Sequence, residues 1–356
     1  MASEPHLSMK KFNIGIVGYG WAAEAHIAAI NAGAAGRVTA ICSSRNLDAR
    51  ELSAKHGCPL QIYTDLDAML KNPELDVVSI CSYHQQHPAQ IIAAARAGKH
   101  IIAEKPLALS LAELREVERE VRRAGVQFCL CFELRFSAQF RAVKSLIDRG
   151  WLGQVHYGEI DYYHGIGPWY REFEWCTTMA GCGSSLLEAG CHAMDALLLC
   201  MGGEVEEVYS CGAKSTSATY APYEYPPTTV TVLRFQDGRM GKVASVIDCW
   251  QPYYFHTHLV GSEGSLLDNK FHSNLIEGLN RNSWSQLGFK PVDSGDVADH
   301  PYQTQFDAFF DALKRGVPMP LTNLDEAVRT HEVIFAADLS CRERRPVKMA
   351  EILDQH

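Results

Sequence analysis

Short apolar runs alternate with helix-like segments through the first third of the chain, between residues 11 and 131. The apolar runs read NIGIVG, RVTAICS, LDVVSICS, HIIAEK and VQFCLCF. Runs of this length predict buried strands, and the segments between them, such as AAEAHIAAINAG, carry apolar residues at helical spacing. Because this alternation is typical of βαβ units, we predict a parallel sheet covered by helices on both faces.

Glycines mark the ends of the predicted helices in this region. AAEAHIAAINAG ends at Gly33 and PAQIIAAARAGKH contains Gly98, and both glycines suit C-cap positions. The segment SLAELREVEREVRRAG begins with a capping box of Ser110 and Glu113 and stops at Gly125. The local end signals therefore agree with the apolar spacing.

The pattern changes after Phe132, where longer strand-like stretches follow one predicted helix at about 140–149. Alternating polar and apolar residues on both sides of Asp237-Gly238 predict a hairpin. Further helices are predicted near 303–314 and 324–339. We expect a mostly antiparallel sheet backed by helices in this half of an α/β chain.

Composition and charge narrow the class of protein. The chain has 356 residues, with 33 basic and 42 acidic side chains and a formal net charge of -9, so two domains of ordinary size and no nucleic-acid partner are expected. No apolar stretch reaches the length of about 20 residues that crosses a membrane, and MASEPHLSMKK lacks the apolar core of a signal peptide, so we expect a soluble, cytoplasmic protein. The 12 cysteines include no C-x-x-C pair and are expected to be free thiols.

The stretch GIVGYGWAA, residues 15–23, joins the first predicted strand to an Ala-rich helix. Gly18, Gly20 and Ala23 fit G-x-G-x-x-G/A, which needs a tight turn, a bare backbone where a pyrophosphate approaches and a small residue for helix packing. The alternative is a βα turn without a ligand. The residues predicted to contact a dinucleotide here are Gly18, Tyr19, Gly20, Trp21 and Ala22.

The second predicted strand ends in ICSSR, where a site specific for NAD would place Asp or Glu. Ser43, Ser44 and Arg45 instead offer hydroxyl groups and a guanidinium, which can receive a 2′-phosphate. We therefore predict NADP, with NAD as the alternative if Arg45 is a solvated loop residue.

The stretch AGKHIIAEKPLA, residues 97–108, closely resembles the strand-five signature of the glucose-fructose oxidoreductase / inositol dehydrogenase / rhizopine-catabolism (Gfo/Idh/MocA) family. The resemblance extends through HPAQIIAAARAGKH, RFSAQFRAVKSLIDRGWLGQV and SSLLEAGCHAMDALL. It implies a doubly wound Rossmann domain, residues 10–131, which binds NAD(P). It also implies a C-terminal α/β domain with a large open, mostly antiparallel sheet, residues 132–356, for substrate binding and oligomerisation. The implied activity is reversible oxidation of a sugar or polyol hydroxyl.

The resemblance also assigns roles to individual residues. Lys105 matches the catalytic lysine, and EAGCH matches the family's D-x-x-x-H pair as Glu188 and His192, with Glu in place of the usual Asp. The usual Thr-Pro after strand four is Ser82-Tyr83 here, so the loop beside the nicotinamide can have another shape. The other residues assigned to the cofactor site are Ser82, Tyr83, His84, His87, Glu104 and Lys105.

The catalytic assignments make chemical sense on their own. Oxidation of a secondary alcohol needs a base for the hydroxyl proton and a positive group beside the developing alkoxide, and Lys105 and His192 can supply both. On a regular helix Glu188 and His192 would share one face, so the carboxylate could orient the imidazole. The alternative for Glu188 and His192 is an exposed i,i+4 pair without a catalytic role. The alternative for Lys105 is a lysine that only extends its charge into water at a strand end.

The segment YGEIDYYHGIGPWYREFEW, residues 157–175, is rich in aromatic residues. Sugar C–H faces pack on such rings, and a histidine can bond hydroxyl groups. The alternative is that these rings fill a core or an interface. The residues predicted to contact substrate are Lys105, Arg135, His164, Trp169, Tyr170, Glu188 and His192.

A metal site is not predicted, because the pairs His84/His87, His256/His258 and Glu188/His192 lack further ligands at a recognisable spacing. Two other functions stay open: cleavage of a glycoside by transient oxidation with retained NAD(H), and a sensor that binds dinucleotide without catalysis. We expect a homodimer or homotetramer, because one face of the second sheet would leave apolar strand residues exposed unless another subunit covers them. The apolar residues expected on that face are Val230, Val232, Leu233, Val243 and Val246.

Overall fold

The computed structural model describes residues 11–292, 295 and 300–354. Within them the chain divides into two compact units. Unit 1 contains the chain up to Glu104 together with Arg119–Cys131 and Tyr302–Asn323. Unit 2 contains Lys105–Glu118, the chain from Phe132 to Pro301 and the chain from Leu324 onwards.

Unit 1 is built on a parallel sheet with the strand order β3-β2-β1-β4-β5-β6, six strands within the described residues. From β1 the chain adds β2 and β3 on one side of the sheet and then β4, β5 and β6 on the other side. This strand order is that of a Rossmann fold. The strands are β1 (Phe12–Val17), β2 (Gly36–Cys42), β3 (Gln61–Tyr63), β4 (Val77–Ile80), β5 (His100–Ala103) and β6 (Phe128–Leu130). Their side chains, such as Ile16 and Val78, are fully buried, as the apolar runs predict.

The helices between these strands begin and end close to the predicted positions. They are α1 (Trp21–Ala32), α2 (Ala49–His56), α3 (Leu66–Leu70), α4 (His87–Arg96) and α5 (Leu111–Ala124). Gly98 and Gly125 follow their helices with φ of 70° and 65°, whereas Gly33 caps α1 in an extended conformation. The capping box is confirmed, since Ser110 Oγ donates to Glu113 Oε2 at 3.0 Å and accepts from the Glu113 N–H at 3.3 Å.

A late helix, α10 (Tyr302–Arg315), belongs to unit 1 although a single cut after residue 131 would place it in the second domain. Gln305 Nε2 donates to the Leu130 carbonyl at 2.7 Å, and the Leu130 N–H donates to the Thr322 carbonyl at 3.0 Å. These bonds satisfy the backbone of β6 at the edge of the sheet, so the late segment completes unit 1.

Unit 2 contains a sheet with the strand order β14-β13-β12-β11-β7-β10-β9-β8-β15, nine strands within the described residues. Only the β7–β10 pair is parallel among them, so the predicted mostly antiparallel sheet is confirmed. The strands are β7 (Val155–Tyr163), β8 (Val205–Ala213), β9 (Thr228–Phe235), β10 (Met240–Val246), β11 (Tyr254–Gly261), β12 (Gly264–Leu267), β13 (Lys270–Ser273), β14 (Ser285–Gln286) and β15 (Val347–Lys348). The hairpin at Asp237-Gly238 joins β9 to β10, with Gly238 at φ 84°.

Helices cover one face of this sheet. They are α6 (Ala138–Asp148), α7 (Phe173–Cys176), α8 (Met179–Cys182), α9 (Cys191–Met201), α11 (Leu324–Glu343) and α12 (Ala350–Leu353), with a π-helical turn at Leu186–Gly190. Val230 and Val232 lie on the opposite face and are 40% and 37% exposed. The prediction was wrong for Leu233 and Val243, which are fully buried, because alternation along each strand turns them towards the helices.

No helix among the described residues is long and apolar enough to cross a membrane. The N-terminal residues considered above for a signal peptide lie outside the described residues, Lys11 excepted. All 12 cysteines fall within the described part of the chain and are free thiols, most of them buried.

Candidate active site

The glycine turn of unit 1 has the geometry that a dinucleotide requires. Gly18 has φ 86°, and a Cβ there would lie 2.7 Å from the Cys81 carbonyl oxygen, so only glycine fits. Gly20 is the N-cap of α1, and a Cβ built on it meets no heavy atom of the described residues within 4 Å. The N-terminus of α1, which carries Trp21 and Ala22, is therefore open to an anion, and the turn fits a pyrophosphate.

The end of β2 lies against this turn. Arg45 is exposed, its guanidinium donates a hydrogen bond to the Tyr19 carbonyl, and its Cζ lies 5.7 Å from the centroid of the Tyr19 ring. Ser43 is buried and its Oγ accepts from the Arg45 N–H at 3.2 Å, whereas Ser44 is exposed. Lys55 Nζ also lies 5.7 Å from the Tyr19 centroid, so two cations flank this ring.

The loop after β4 is held by its own hydrogen bonds. Ser82 Oγ donates to Gln90 Oε1 at 2.5 Å, and the Ser82 carbonyl lies 3.0 Å from His87 Nε2. His87 begins α4 and is fully buried, and its ring centroid lies 5.6 Å from that of His84. Tyr83 is 48% exposed, which is the largest exposed fraction among these predicted cofactor residues.

Glu104 points into unit 1. Its Oε1 accepts from the Tyr302 hydroxyl at 2.7 Å and lies 3.0 Å from His26 Nε2, and His26 Nδ1 lies 2.8 Å from Ser79 Oγ. Burial disfavours the imidazolium, but Cys81 and Glu104 beside the ring raise the pKa of His26 to about 10. The carboxylate of Glu104 is therefore held by an interior network.

Lys105 lies in unit 2 beside the π-helical turn. Its Nζ donates to the Glu188 carbonyl oxygen at 2.7 Å, and Cys176 Sγ lies 3.4 Å from Glu188 Oε1. Turns of this kind occur often at functional sites. The π-helical turn at Leu186–Gly190 replaces the regular α-helix that was predicted to join Glu188 to His192, and α9 begins only at Cys191.

His192 lies in the first turn of α9 and is buried. Its ring stacks near Tyr162, with centroids 6.5 Å apart, and packs edge-on against Phe132 at 6.1 Å. The imidazole therefore packs against two aromatic rings in the helix that follows the turn contacted by Lys105.

Arg135, predicted to contact substrate, is engaged in the interior of unit 2. Its Nε and one terminal nitrogen each lie 2.7 Å from an Asp195 carboxylate oxygen, and its Nη1 lies 3.0 Å from Glu326 Oε2. Thr330 Oγ1 donates to Asp195 at 3.0 Å. Burial opposes the charge, but the two carboxylates raise the pKa of Arg135. The guanidinium is thus paired with two carboxylates of unit 2, and its contact with substrate stays a prediction.

His164 lies between tyrosine side chains of the predicted aromatic segment. Its Nδ1 is 2.9 Å from the Tyr162 hydroxyl and its Nε2 is 3.2 Å from the Tyr170 hydroxyl. Burial, together with the positive charges of His300 and Lys105, lowers the pKa of His164 to about 4. The ring is therefore neutral near pH 7, and it can exchange hydrogen bonds with hydroxyl groups.

Two groups of potential metal ligands lie within single units of the described chain. His26, Glu104 and Cys131 form the first, and Glu159 with His256 and His258 forms the second. The strands thus give the His256/His258 pair a third ligand that sequence spacing could not identify. Lys242 Nζ already pairs with Glu159 at 2.8 Å, however, so the carboxylate charge is balanced. The absence of a metal stays a prediction.

Several side chains around these sites were not identified from the sequence. Lys55 reaches Tyr19 from the end of α2, and Tyr302 reaches Glu104 from nearly 200 residues away. Trp250 packs against Trp169 with ring centroids 5.4 Å apart. For Trp250 the sequence offered one signal, the cluster of aromatic residues in CWQPYYF. This cluster follows a predicted strand, just as GPWY does.

Unit 1 has a doubly wound parallel sheet with an open glycine turn, and unit 2 holds a lysine beside a histidine-bearing helix. These features define a nicotinamide-dependent oxidoreductase of two domains. Residues 12–132 match the family model described as an oxidoreductase family with an NAD-binding Rossmann fold, and residues 140–267 match the GFO/IDH/MocA C-terminal domain. The chain belongs to the Gfo/Idh/MocA family, which confirms the resemblance.

The chain is similar to known dehydrogenases in sequence and in structure. The myo-inositol 2-dehydrogenase of Thermotoga maritima is 27% identical over 344 residues, 96% of this chain and 99% of the relative. The trans-1,2-dihydrobenzene-1,2-diol dehydrogenase of Bos taurus is 28% identical over 174 residues, 49% of this chain and 50% of the relative. The crystal structure of a probable dehydrogenase from Thermotoga maritima has a TM-score of 0.80 at 25% identity, covering 96% of this chain and 100% of that one.

Proposed function

We propose that this enzyme transfers a hydride reversibly between a nicotinamide dinucleotide and a carbon bearing a secondary hydroxyl in a sugar, glycoside or polyol. The observation that carries the proposal is the 2.7 Å hydrogen bond from Lys105 Nζ to the Glu188 carbonyl. It fixes the ammonium group beside the turn that leads into α9 and His192, so a cation and a base come from one small region of unit 2.

Oxidation of a secondary alcohol releases a hydride from the carbon and a proton from the hydroxyl oxygen. A nicotinamide dinucleotide held at the glycine turn of Gly18 and Gly20 would supply the hydride acceptor. We assign the proton to the imidazole of His192, because its buried position near Tyr162 and Phe132 keeps competing water away. The Lys105 ammonium stabilises the negative charge that develops on the oxygen. In the reverse direction His192 returns the proton.

The remaining polar groups of unit 2 bind and orient the substrate. Glu188, whose carboxylate lies beside Cys176, can accept a hydrogen bond from a hydroxyl next to the reacting carbon. Neutral His164 and Tyr170 can share further hydroxyl groups. The names of the two curated relatives describe dehydrogenases of a cyclic polyol and of a cyclic diol, which supports this class of substrate.

NADP is the cofactor that the end of β2 favours. The Arg45 guanidinium lies beside the fingerprint turn, whereas Lys55 at the same tyrosine is already paired with Glu24 at 2.7 Å. Arg45 attracts a 2′-phosphate, and the ICSSR segment holds no carboxylate that would repel it. NAD lacks the phosphate and would bind more weakly.

The open face of the second sheet supports a homodimer or homotetramer. Tyr209, Val230, Val232 and Met240 are each between 37% and 49% exposed on adjacent strands, which is an apolar area that a second copy could cover. Sedimentation should show an oligomer at micromolar protein concentration that Val232→Lys weakens; a monomer in the unmodified protein would contradict this. The free thiols support a reducing, cytoplasmic location.

The decisive experiment is a screen of sugars, glycosides and polyols with NAD⁺ and NADP⁺, read by the absorbance of the reduced nicotinamide. We expect turnover with at least one compound, lost in Lys105→Ala and His192→Ala. Lys270→Ala and His156→Ala, which remove an exposed lysine and an exposed histidine of the same unit, serve as matched controls. Absence of cofactor reduction across the screen, and of cofactor oxidation with the matching ketones, would contradict the proposal.

A further inference from the structure

Two tryptophans lie side by side on the surface of unit 2. Trp169 follows β7 and Trp250 follows β10, their ring centroids are 5.4 Å apart, and the ring planes are inclined by 43°. They are 55% and 69% exposed, while the buried Tyr220 packs against both rings. An adjacent pair of exposed indoles keeps a large apolar area in water, which is typical of a binding surface.

Internal contacts hold these two loops in place. Trp169 Nε1 donates to the Gly165 carbonyl at 3.1 Å, and its ring lies so close to the Gly167 backbone that a Cβ there would be 2.4 Å away. The Tyr220 hydroxyl donates to the Cys249 carbonyl at 2.6 Å, directly before Trp250. Because this platform is already ordered, a ligand that packs on it loses little free energy to ordering.

Sequence neighbours of the two tryptophans reach His164, which was predicted to contact substrate. Trp169 precedes Tyr170, whose hydroxyl lies 3.2 Å from His164 Nε2, and Lys105 is one of the charges that act on His164. Tyr253, three residues after Trp250, packs edge-on against His164 with centroids 5.2 Å apart. Both tryptophan loops therefore carry a tyrosine, Tyr170 or Tyr253, that contacts His164.

The chemistry of the pair fits a sugar ring. Sugar C–H faces pack on aromatic rings, and the hydroxyl groups at the ring edge need polar neighbours. Gln251 and Arg171, close in sequence to the two tryptophans, are exposed and offer such groups. Two indole faces cover about one sugar ring, which is far less than the area of about 800 Å² per partner in a stable protein interface.

We propose that Trp169 and Trp250 form a subsite for the second, non-reacting sugar ring of a glycoside whose first ring is oxidised beside Lys105 and His192. The inference rests on the proposed function, since it names the substrate class of the same site. Contacts with a ring that does not react bind the ground state and the transition state equally, so they lower KM and leave kcat unchanged. The preferred substrates are accordingly glycosides of two rings rather than free monosaccharides or single-ring polyols.

The test compares matched substrates that differ by one ring: methyl β-glucoside with cellobiose, and myo-inositol with galactinol. Trp250→Ala should raise KM for the two-ring compound about two- to tenfold and leave kcat and the single-ring KM unchanged. Trp250→Phe should restore most of the difference. Trp284→Ala, which removes another exposed tryptophan of unit 2, should change neither KM. An equal rise of KM for both members of a pair would overturn the proposal.

Calorimetric titration of cellobiose and galactinol into the enzyme–dinucleotide complex separates this proposal from the proposed function. If no compound is turned over, but a two-ring compound binds and Trp250→Ala weakens that binding, the function is wrong and the subsite stands. If neither two-ring compound binds more tightly than its single-ring partner, the subsite is wrong whatever the activity. A changed sedimentation coefficient in Trp250→Ala with unchanged KM values would make the pair a subunit contact.

Discussion

Replacement of Arg135 by methionine should destabilise unit 2 strongly. The side chains of Arg135 and Asp195 are 2% and 3% exposed and form two parallel hydrogen bonds of 2.7 Å. Without the guanidinium, the buried Asp195 carboxylate keeps the 3.0 Å bond from Thr330 and loses its charge partner. Removal of one member of a buried ion pair costs about 3–5 kcal/mol, because the other charge stays buried and uncompensated.

The loss should depend on pH in a defined direction. Burial raises the pKa of Asp195 even though Arg135 opposes the shift, so without Arg135 the pKa rises further. A carboxyl group whose folded pKa is raised loses stability as the pH increases through that value. The destabilisation by Arg135→Met should therefore be smaller at pH 5 than at pH 8.

Urea unfolding followed by circular dichroism measures the effect, and hydrogen exchange in α9 shows whether it lies in unit 2. Arg234→Met is the matched control, because Arg234 and Glu206 form a 3.0 Å pair that is half exposed, and such pairs contribute at most about 1 kcal/mol. The double variant Arg135→Met/Asp195→Leu should recover much of the lost stability.

Two results would refute this reasoning. If Arg135→Met destabilises the protein no more than Arg234→Met, the interior pair does not hold unit 2 together. If it leaves stability unchanged and raises KM, Arg135 contacts the substrate, as the sequence pattern suggested.

Three further predictions follow from the sites. Lys105→Ala and His192→Ala should each fold, still bind dinucleotide and lose about 10²- to 10⁴-fold in turnover; near-normal turnover in either would exclude that residue's role. Arg45→Ala should weaken NADP binding about 10- to 150-fold by fluorescence titration and leave NAD binding unchanged, and Ser43→Asp combined with Arg45→Ala should reverse the preference; equal affinities in the unmodified protein would contradict this. His164 has its pKa lowered from 6.5 to about 4, so its contribution to stability is present above pH 6.5 and is lost as the pH falls towards 4. His164→Asn should flatten the plot of unfolding free energy against pH between pH 4 and 6.5, as measured by urea unfolding. An unchanged plot would show that the ring titrates normally.

Local signals were enough to predict most of the fold. The apolar runs of unit 1, the Ser110–Glu113 capping box and the Asp237-Gly238 hairpin act within a few residues, so their chemistry is visible in a single stretch of sequence. The open glycine turn also follows from local spacing, because its strand and helix are contiguous with it.

Features that depend on distant residues could not be predicted in the same way. The partners of Arg135 come from α9 and α11, so its sequence neighbours gave no sign that its charge was already paired. Strand alternation already places Val232 and Leu233 on opposite faces, but which face is buried depends on the helices that pack on the sheet, and these bury Leu233 and Val243. The π-helical turn at Glu188 and the contact of Trp169 with Trp250 likewise arise only when separate segments meet.

The two glycines of the dinucleotide turn offer separate experimental controls over folding and ligand occupancy. Gly18 has a left-handed backbone conformation, and alanine there would place its methyl group 2.7 Å from the Cys81 carbonyl. Gly18→Ala therefore destabilises the folded protein. Alanine at Gly20 adopts its extended backbone (φ -135°) without strain and projects its methyl group into open space. Gly20→Ala therefore provides a folded apoenzyme, in which oligomerisation and sugar binding can be measured while the pyrophosphate is sterically excluded.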